Sequence, residues 1–177
     1  MENSQGESEK WLRNLMDEYG GRLTNLAYSY LKDWGKAQEV VQDVFFTCYS
    51  QYAKIEEIQS LEAWTYRITI NRCKDVLKSS WIKRVTVNNN LFAFLKSTTV
   101  SPEAAVIARD ENTMLVKKVL ELPVKYREVI HLFYYEELSV AEISALLKIN
   151  INTIKTRLKR GRELLGVNLE RGETSVG

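Results

Sequence analysis

Apolar positions recur with helical spacing over two long stretches of this chain and lose that spacing between them. Leu12, Leu15, Met16 and Tyr19 form one stripe, and Leu23, Leu26, Ala27, Tyr30 and Leu31 form the next. Gly20-Gly21 stands between the stripes, where it is expected to kink or break the helix. Asp33-Trp34-Gly35 reads as a turn, and Ala37 to Tyr52 as an amphipathic helix. That helix buries Val40, Val41, Val44, Phe45 and Cys48 and leaves Gln38, Gln42 and Asp43 outside. A further helix is predicted from Leu61 to Lys83. Between Val85 and Ser101 the period vanishes: Asn88-Asn89-Asn90 and several β-branched residues occupy the stretch. Ser101 as N-cap and Pro102 as first-turn residue then open a second helical block, which ends near Leu165.

The pattern predicts an all-α protein of two small helical domains, residues 1–84 and 101–177, joined by a flexible linker over 85–100. A polar tail, Gly166–Gly177, is expected to fray. The linker carries five apolar residues in a row, Leu91-Phe-Ala-Phe-Leu95, which a plain tether would not be expected to expose. They are expected either to pack between the two domains of the free protein or to form one more turn of helix. Composition agrees with helix. At 177 residues, with 45% apolar, the chain has material for one ordinary domain or two small ones. Two prolines and eight glycines are too few for the frequent turns of an all-β fold.

Net charge is only +2, so its distribution carries the information. Six basic residues against two acidic ones lie between Ser60 and Arg84, and six against one between Lys148 and Leu165. The remainder is net acidic, and two basic helices on such a chain suggest two contacts with a polyanion. Cys48, Cys73 and the sole histidine, His131, lack the spacing of a zinc site, so no metal or cofactor is expected. The polar, acidic start MENSQGESEKW does not resemble a signal peptide, and no apolar run approaches the roughly 20 residues of a membrane helix. A cytoplasmic protein with no direct membrane insertion is expected, its thiols reduced.

The second block contains a helix-turn-helix pattern. Ser139 with Glu142 forms a capping box for a short helix whose apolar face is Val140, Ile143, Leu146 and Leu147. Ser144 and Ala145 are small, as a close helix crossing requires. After Lys148-Ile149-Asn150, at about 100° per residue, Leu158, Gly161 and Leu165 fall within about 40° of Ile154. Asn152, Lys155, Thr156, Lys159 and Arg160 fill the opposite arc, with Arg157 and Arg162 on its flanks. Basic and hydroxyl side chains on the outer arc of a short helix are what major-groove readout requires.

These residues resemble domain four of RNA polymerase sigma factors. The pattern runs Leu122-Pro123-x-x-x-Arg127-x-Val129, then Leu138-Ser139-x-x-Glu142-Ile143, then Thr153-Ile154-Lys155-Thr156-Arg157-Leu158-x-Arg160-Gly161-Arg162-x-x-Leu165. Upstream, Ala37-Gln38-Glu39-Val40-Val41-Gln42-Asp43-Val44-Phe45 is similar to the polymerase-gripping helix of domain two. Ala63-Trp64-x-Tyr66-Arg67-Ile68-x-x-Asn71-x-x-x-Asp75-x-Leu77-Lys78 is similar to that domain's strand-capturing helix. The chain departs from the family at Thr65 (usually Leu), Asn150 (often Pro) and Asn152 (usually Gly), and in a thinner basic tail, Lys78–Arg84. On this resemblance the extra domains of housekeeping members are not expected within the 177 residues.

The resemblance implies a sigma factor of the small extracytoplasmic-function group within the sigma-70 family. Its partners would be core RNA polymerase (the β′ clamp helices and the β flap), promoter DNA and an anti-sigma factor, often membrane-anchored in the family. It implies that Glu39, Gln42 and Asp43 meet polymerase. Trp64, Arg67, Asn71, Arg72, Lys74 and Lys78, with the loop Ala53–Ser60, would take the minus-ten strand. Trp64 is as readily read as a core residue. Asn152, Lys155, Thr156, Arg157, Lys159, Arg160 and Arg162 would meet the minus-thirty-five element, and the linker would thread polymerase channels. A helix-turn-helix regulator acting without polymerase is the alternative, but it leaves Ala37–Phe45 and Trp64–Lys78 unexplained. An enzyme is not expected: the sequence has no Gly-rich phosphate loop and no His-based triad, and Glu39 with Asp43 reads as an exposed partner surface.

Overall fold

The structure is a computed structural model that describes residues 2–86 and 111–166. Those residues are helices and turns arranged in two compact units, one ending at Thr86 and the other beginning at Glu111. Helix starts and stops follow local capping chemistry. The first unit contains α1 (Glu2–Leu31), α2 (Trp34–Ser50), a 3-10 turn (Tyr52–Glu57) and α3 (Leu61–Thr86). The second contains α4 (Glu111–Glu121), α5 (Val124–Tyr134), α6 (Val140–Leu147) and α7 (Ile151–Leu165). The apolar stretch Leu91–Leu95, the Ser101-Pro102 helix start and residues 167–177 of the expected tail lie outside the described residues. Helix α3 continues two residues into the expected linker.

In the first unit α1 packs along both α2 and α3. Leu15, Tyr19, Leu23, Leu26, Ala27 and Tyr30 of α1 face Val40, Val41, Val44, Phe45 and Cys48 of α2, with Tyr66, Ile70 and Cys73 of α3 closing the core. Gly20-Gly21, expected to kink or break the helix, does not break it: α1 is continuous through the pair. Glycine costs about 1 kcal/mol per helical position relative to alanine, and burial of Leu15, Tyr19, Leu23 and Leu26 on either side outweighs that cost. Gly20 lies across from Phe45, whose ring would be 3.9 Å from an added Cβ. Met16, read as part of the buried stripe, is largely exposed.

The turn before α2 is shorter than Asp33-Trp34-Gly35. Lys32 takes the left-handed conformation that ends α1 (φ 55°), and Asp33 is the N-cap, its carboxylate accepting from the Lys36 amide at 3.1 Å. Trp34 and Gly35 are therefore already helical, and the Trp34 ring meets Tyr28 edge-on at 5.6 Å. At the other end α2 stops at Ser50, and the loop expected over Ala53–Ser60 is largely the 3-10 turn, its Tyr52 ring 5.2 Å from Trp11. Cys48 and Cys73 are fully buried, and desolvation pushes their thiols up to about 11 and about 12 respectively. At neutral pH both are protonated packing groups.

The second unit wraps its core around Ile130 and Ile154. Arg127 is buried, and its guanidinium donates to the Leu120 and Leu122 carbonyls at 2.6 and 3.0 Å, satisfying the carboxyl end of α4. Gly161 lets α7 approach α5 closely: an added Cβ would lie 2.9 Å from Ile130 Cγ1. Helix α6 buries Ile143 and Leu146 of its expected apolar face, while Ser144 is half-buried and Ala145, expected at a close crossing, is exposed.

Candidate nucleic-acid interface

The helix-turn-helix is α6 and α7. Its first helix is fixed by a complete capping box: the Glu142 amide donates to Ser139 Oγ at 3.2 Å, and the Ser139 amide donates to Glu142 Oε2 at 2.8 Å. Lys148 (φ 56°) ends α6 in the left-handed region, and Ser144 Oγ donates to the Ile149 carbonyl at 2.6 Å to brace the turn. Asn150 is the N-cap of α7, its side chain accepting from the Asn152 amide at 2.8 Å. At the positions noted as departures from the family pattern, Asn150 caps α7 and Asn152 is already helical, while Lys148 carries the positive φ of the turn.

The Ser139 hydroxyl also donates to Glu142 Oε2, at 2.6 Å, and this bond, with that from the Ser139 amide, holds the Glu142 carboxyl below its usual value. A carboxyl depressed in the folded state stabilises above its unfolded pKa, and that contribution is lost as pH falls through the folded value. Ser139→Ala is expected to cost about 1 kcal/mol at neutral pH. The difference in melting temperature between variant and wild type should narrow as pH falls through the depressed folded value of Glu142. A gap independent of pH would mean that Glu142 takes no part in the cap.

Helix α7 buries Ile154, Leu158, Gly161 and Leu165. Asn152, Lys155, Thr156, Lys159 and Arg160 are all exposed on the opposite arc. Thr156 Oγ1 donates back to the Asn152 carbonyl at 2.9 Å, and Arg160 pairs with Glu163 at 3.0 Å. Glu163 shares the arc, an acidic residue among the predicted DNA contacts that the sequence reading passed over. The flanking arginines behave differently from the arc. Arg157 is half-buried and pairs at 3.1 Å with Glu128, itself only 4% exposed in the core of the unit. Arg162, also half-buried, donates to the Tyr134 hydroxyl at 3.4 Å.

On α3, Asn71, Lys74 and Lys78 fall within about 40° of Arg67 around the helix. Arg67, Asn71 and Lys78 are exposed and Lys74 is half-buried. Arg72 is exposed but lies about 140° round from Arg67, so it points away from this stripe. Trp64 is half-buried. Tyr66, whose ring could in principle stack on a base, is fully buried beneath Arg22, whose guanidinium sits 5.5 Å above its ring and 2.8 Å from Glu62. Trp81, unassigned by sequence, falls on the same arc as Lys74 and Lys78 and is 62% exposed.

Glu39, Gln42 and Asp43 project from α2 away from the core. Phe46 joins them on that face and is 75% exposed. In sequence the signal was position: Phe46 falls within about 60° of Glu39, Gln42 and Asp43 around the helix, on the side expected to face outward. Among the described residues no group of three or more His, Cys, Asp or Glu side chains is placed to hold a metal ion, and no helix there is long and apolar enough to cross a membrane.

Comparison with known proteins covers both units. Residues 15–85 match the model of sigma-70 region 2, and residues 113–165 that of sigma-70 region 4. The ECF RNA polymerase sigma factor SigW of Bacillus subtilis is 30% identical over 159 residues, spanning 86% of this chain and 85% of SigW. RNA polymerase sigma factor SigV of the same organism is 27% identical, spanning 85% of this chain and 86% of SigV. In fold, the chain matches the sigma factor RpoE from Bartonella quintana, solved in complex with the anti-sigma factor NepR. The TM-score is 0.72 at 23% identity, over 90% of this chain and 99% of that one. With its two helical units matched in order and a relative as similar as SigW, the chain belongs to the extracytoplasmic-function group of the sigma-70 family of RNA polymerase sigma factors.

Proposed function

We infer that this chain works as a promoter-specificity subunit: it binds core RNA polymerase and directs it to start transcription at particular promoters. The observation that carries the reading is the pairing, on one chain, of a capped helix-turn-helix with a polar outer arc on α7 and a second cationic stripe on α3. In this reading α7 lies in the major groove at the minus-thirty-five element, with Lys155, Thr156, Lys159, Arg160 and the Asn152 end of the helix towards the bases. Arg157 sets the rotation of α7 through Glu128, and Arg162 meets phosphate at the edge. Arg67, Asn71, Lys74 and Lys78 take the non-template strand of the minus-ten element, while Trp64 and Arg72 support from outside that stripe.

The face of Glu39, Gln42 and Asp43, with Phe46, docks on the β′ clamp helices, and the second unit meets the β flap. The protein acts in the cytoplasm, without cofactor and without chemistry of its own, and the polymerase supplies catalysis. RpoE of Bartonella quintana was solved with an anti-sigma factor bound, and a comparable inhibitor is proposed here. A regulator that never touches polymerase would leave the match over residues 15–85 without a purpose.

Holoenzyme binding to promoter variants over a range of salt concentrations tests the assignment on α7. Arg160→Ala should lose about 1–3 kcal/mol at one base position and relax specificity there. Arg162→Ala should weaken all sequences alike and lower the salt slope by about one. A uniform, sequence-blind loss for Arg160→Ala would remove it from base readout.

A further inference from the structure

We propose that Trp81 is a base-stacking residue, extending the single-strand contact of α3 by one further turn beyond Lys78. The inference rests on reading α3 as the strand-facing helix, and its own ground is the placement of one side chain. Trp81 lies within about 40° of Arg67 around the helix, about 4.5 Å along the axis from Lys78 and about 10.5 Å from Lys74. It is 62% exposed, with most of a large apolar ring open to solvent.

A lone exposed aromatic is ordinary on a protein surface. This one continues a face bearing Arg67, Asn71, Lys74 and Lys78, with Asp75 at its edge as the acidic member. An apolar protein partner seated on Trp81 would cover neighbouring cations and gain nothing from them. A single strand satisfies both features at once, its phosphates following the cations and an unpaired base lying on the indole. Every base has a π-face, so this contact adds affinity for melted DNA without adding sequence preference. It also offers compensation for the thin basic tail, where the chain has Ser79-Ser80-Trp81.

The test uses holoenzyme reconstituted from core polymerase and the full chain, with core enzyme alone as baseline. The probes are a fluorescent duplex carrying a short bubble of unpaired thymines, the same bubble with abasic sites, and the fully paired duplex. Trp81→Ala should weaken bubble binding by between about 5-fold and 150-fold. Duplex binding and the salt slope should not change, and Trp81→Phe should keep most of the affinity. The abasic bubble should reduce wild type towards the variant. Lys78→Ala should instead lower the salt slope by about one.

If Trp81→Ala binds the bubble like wild type while Lys78→Ala is weakened, Trp81 does not stack, although α3 still carries the strand. If neither variant differs, or wild-type holoenzyme binds the bubble no better than core alone, the strand-facing role of α3 falls and the stacking role with it. If Trp81→Ala lowers affinity for core polymerase and leaves bubble binding per assembled complex unchanged, Trp81 faces protein and the proposal is overturned.

Discussion

Arg157→Ala is expected to destabilise the second unit by about 3 kcal/mol, the cost of removing a charged partner from a buried carboxylate. Glu128 is 4% exposed and lies on α5, with the Arg157 guanidinium 3.1 Å away on α7. Its carboxylate was desolvated on folding, and loss of the guanidinium removes an ion pair that offsets part of that cost. Glu128→Gln should cost less, since the amide can stay buried without a charge. Hydrogen exchange resolves the effect within one unit of the full chain: amides of α7 should lose protection while those of α1 and α2 keep theirs. Lys155→Ala is the contrasting case. It is exposed, so its stability should change by less than about 0.5 kcal/mol while DNA affinity drops. If Arg157→Ala kept full protection in α7 and lost only DNA affinity, Arg157 would be a DNA contact and its pair with Glu128 energetically idle.

The second large effect is expected on α2. Phe46→Ala should weaken binding to core polymerase by about 2 kcal/mol or more, roughly 30-fold, as an aromatic anchor at the centre of an interface does. Asp43→Lys should also weaken it, mainly by slowing association at low salt. Neither change should disturb the fold, because Phe46 is 75% exposed and Asp43 lies beside it, away from the core. The ring stands among Glu39, Gln42 and Asp43, an apolar centre in a polar surround. Native-like Phe46→Ala with undiminished affinity for core enzyme would move the docking surface off this face of α2.

Much of this was legible in sequence for physical reasons. The stripes Val40, Val41, Val44, Phe45 and Ile154, Leu158, Leu165 have one period and one solution, a helix with that side buried. Ser139 with Glu142 announces a helix start because the pair satisfies orphan amides in a reciprocal geometry. Punctuation was harder. Gly20-Gly21 looks like a break when only local cost is weighed, and the packing of α1 on two neighbours overrides it. Trp34 and Gly35 look like turn residues until Asp33 is recognised as the cap.

Charge was the least legible feature. Arg157 and Arg160 are equivalent as letters, yet one pairs with a buried carboxylate from a helix 29 residues away in sequence and the other lies in solvent. Only tertiary structure brings Glu128 to Arg157. Phe46 and Trp81 were passed over because an apolar letter at helical spacing is first counted as core, whereas their exposure depends on which neighbours arrive.

Run-off transcription on genomic fragments, with core RNA polymerase and this chain as the only specificity subunit, bears most directly on what the protein does. A discrete set of transcripts should appear that core enzyme alone does not make. Their start sites should share paired upstream elements, and they should disappear when Lys155 and Arg160 are both replaced by alanine. If the chain bound those fragments but produced no transcript beyond the core-only background, its role as an initiation subunit would be contradicted.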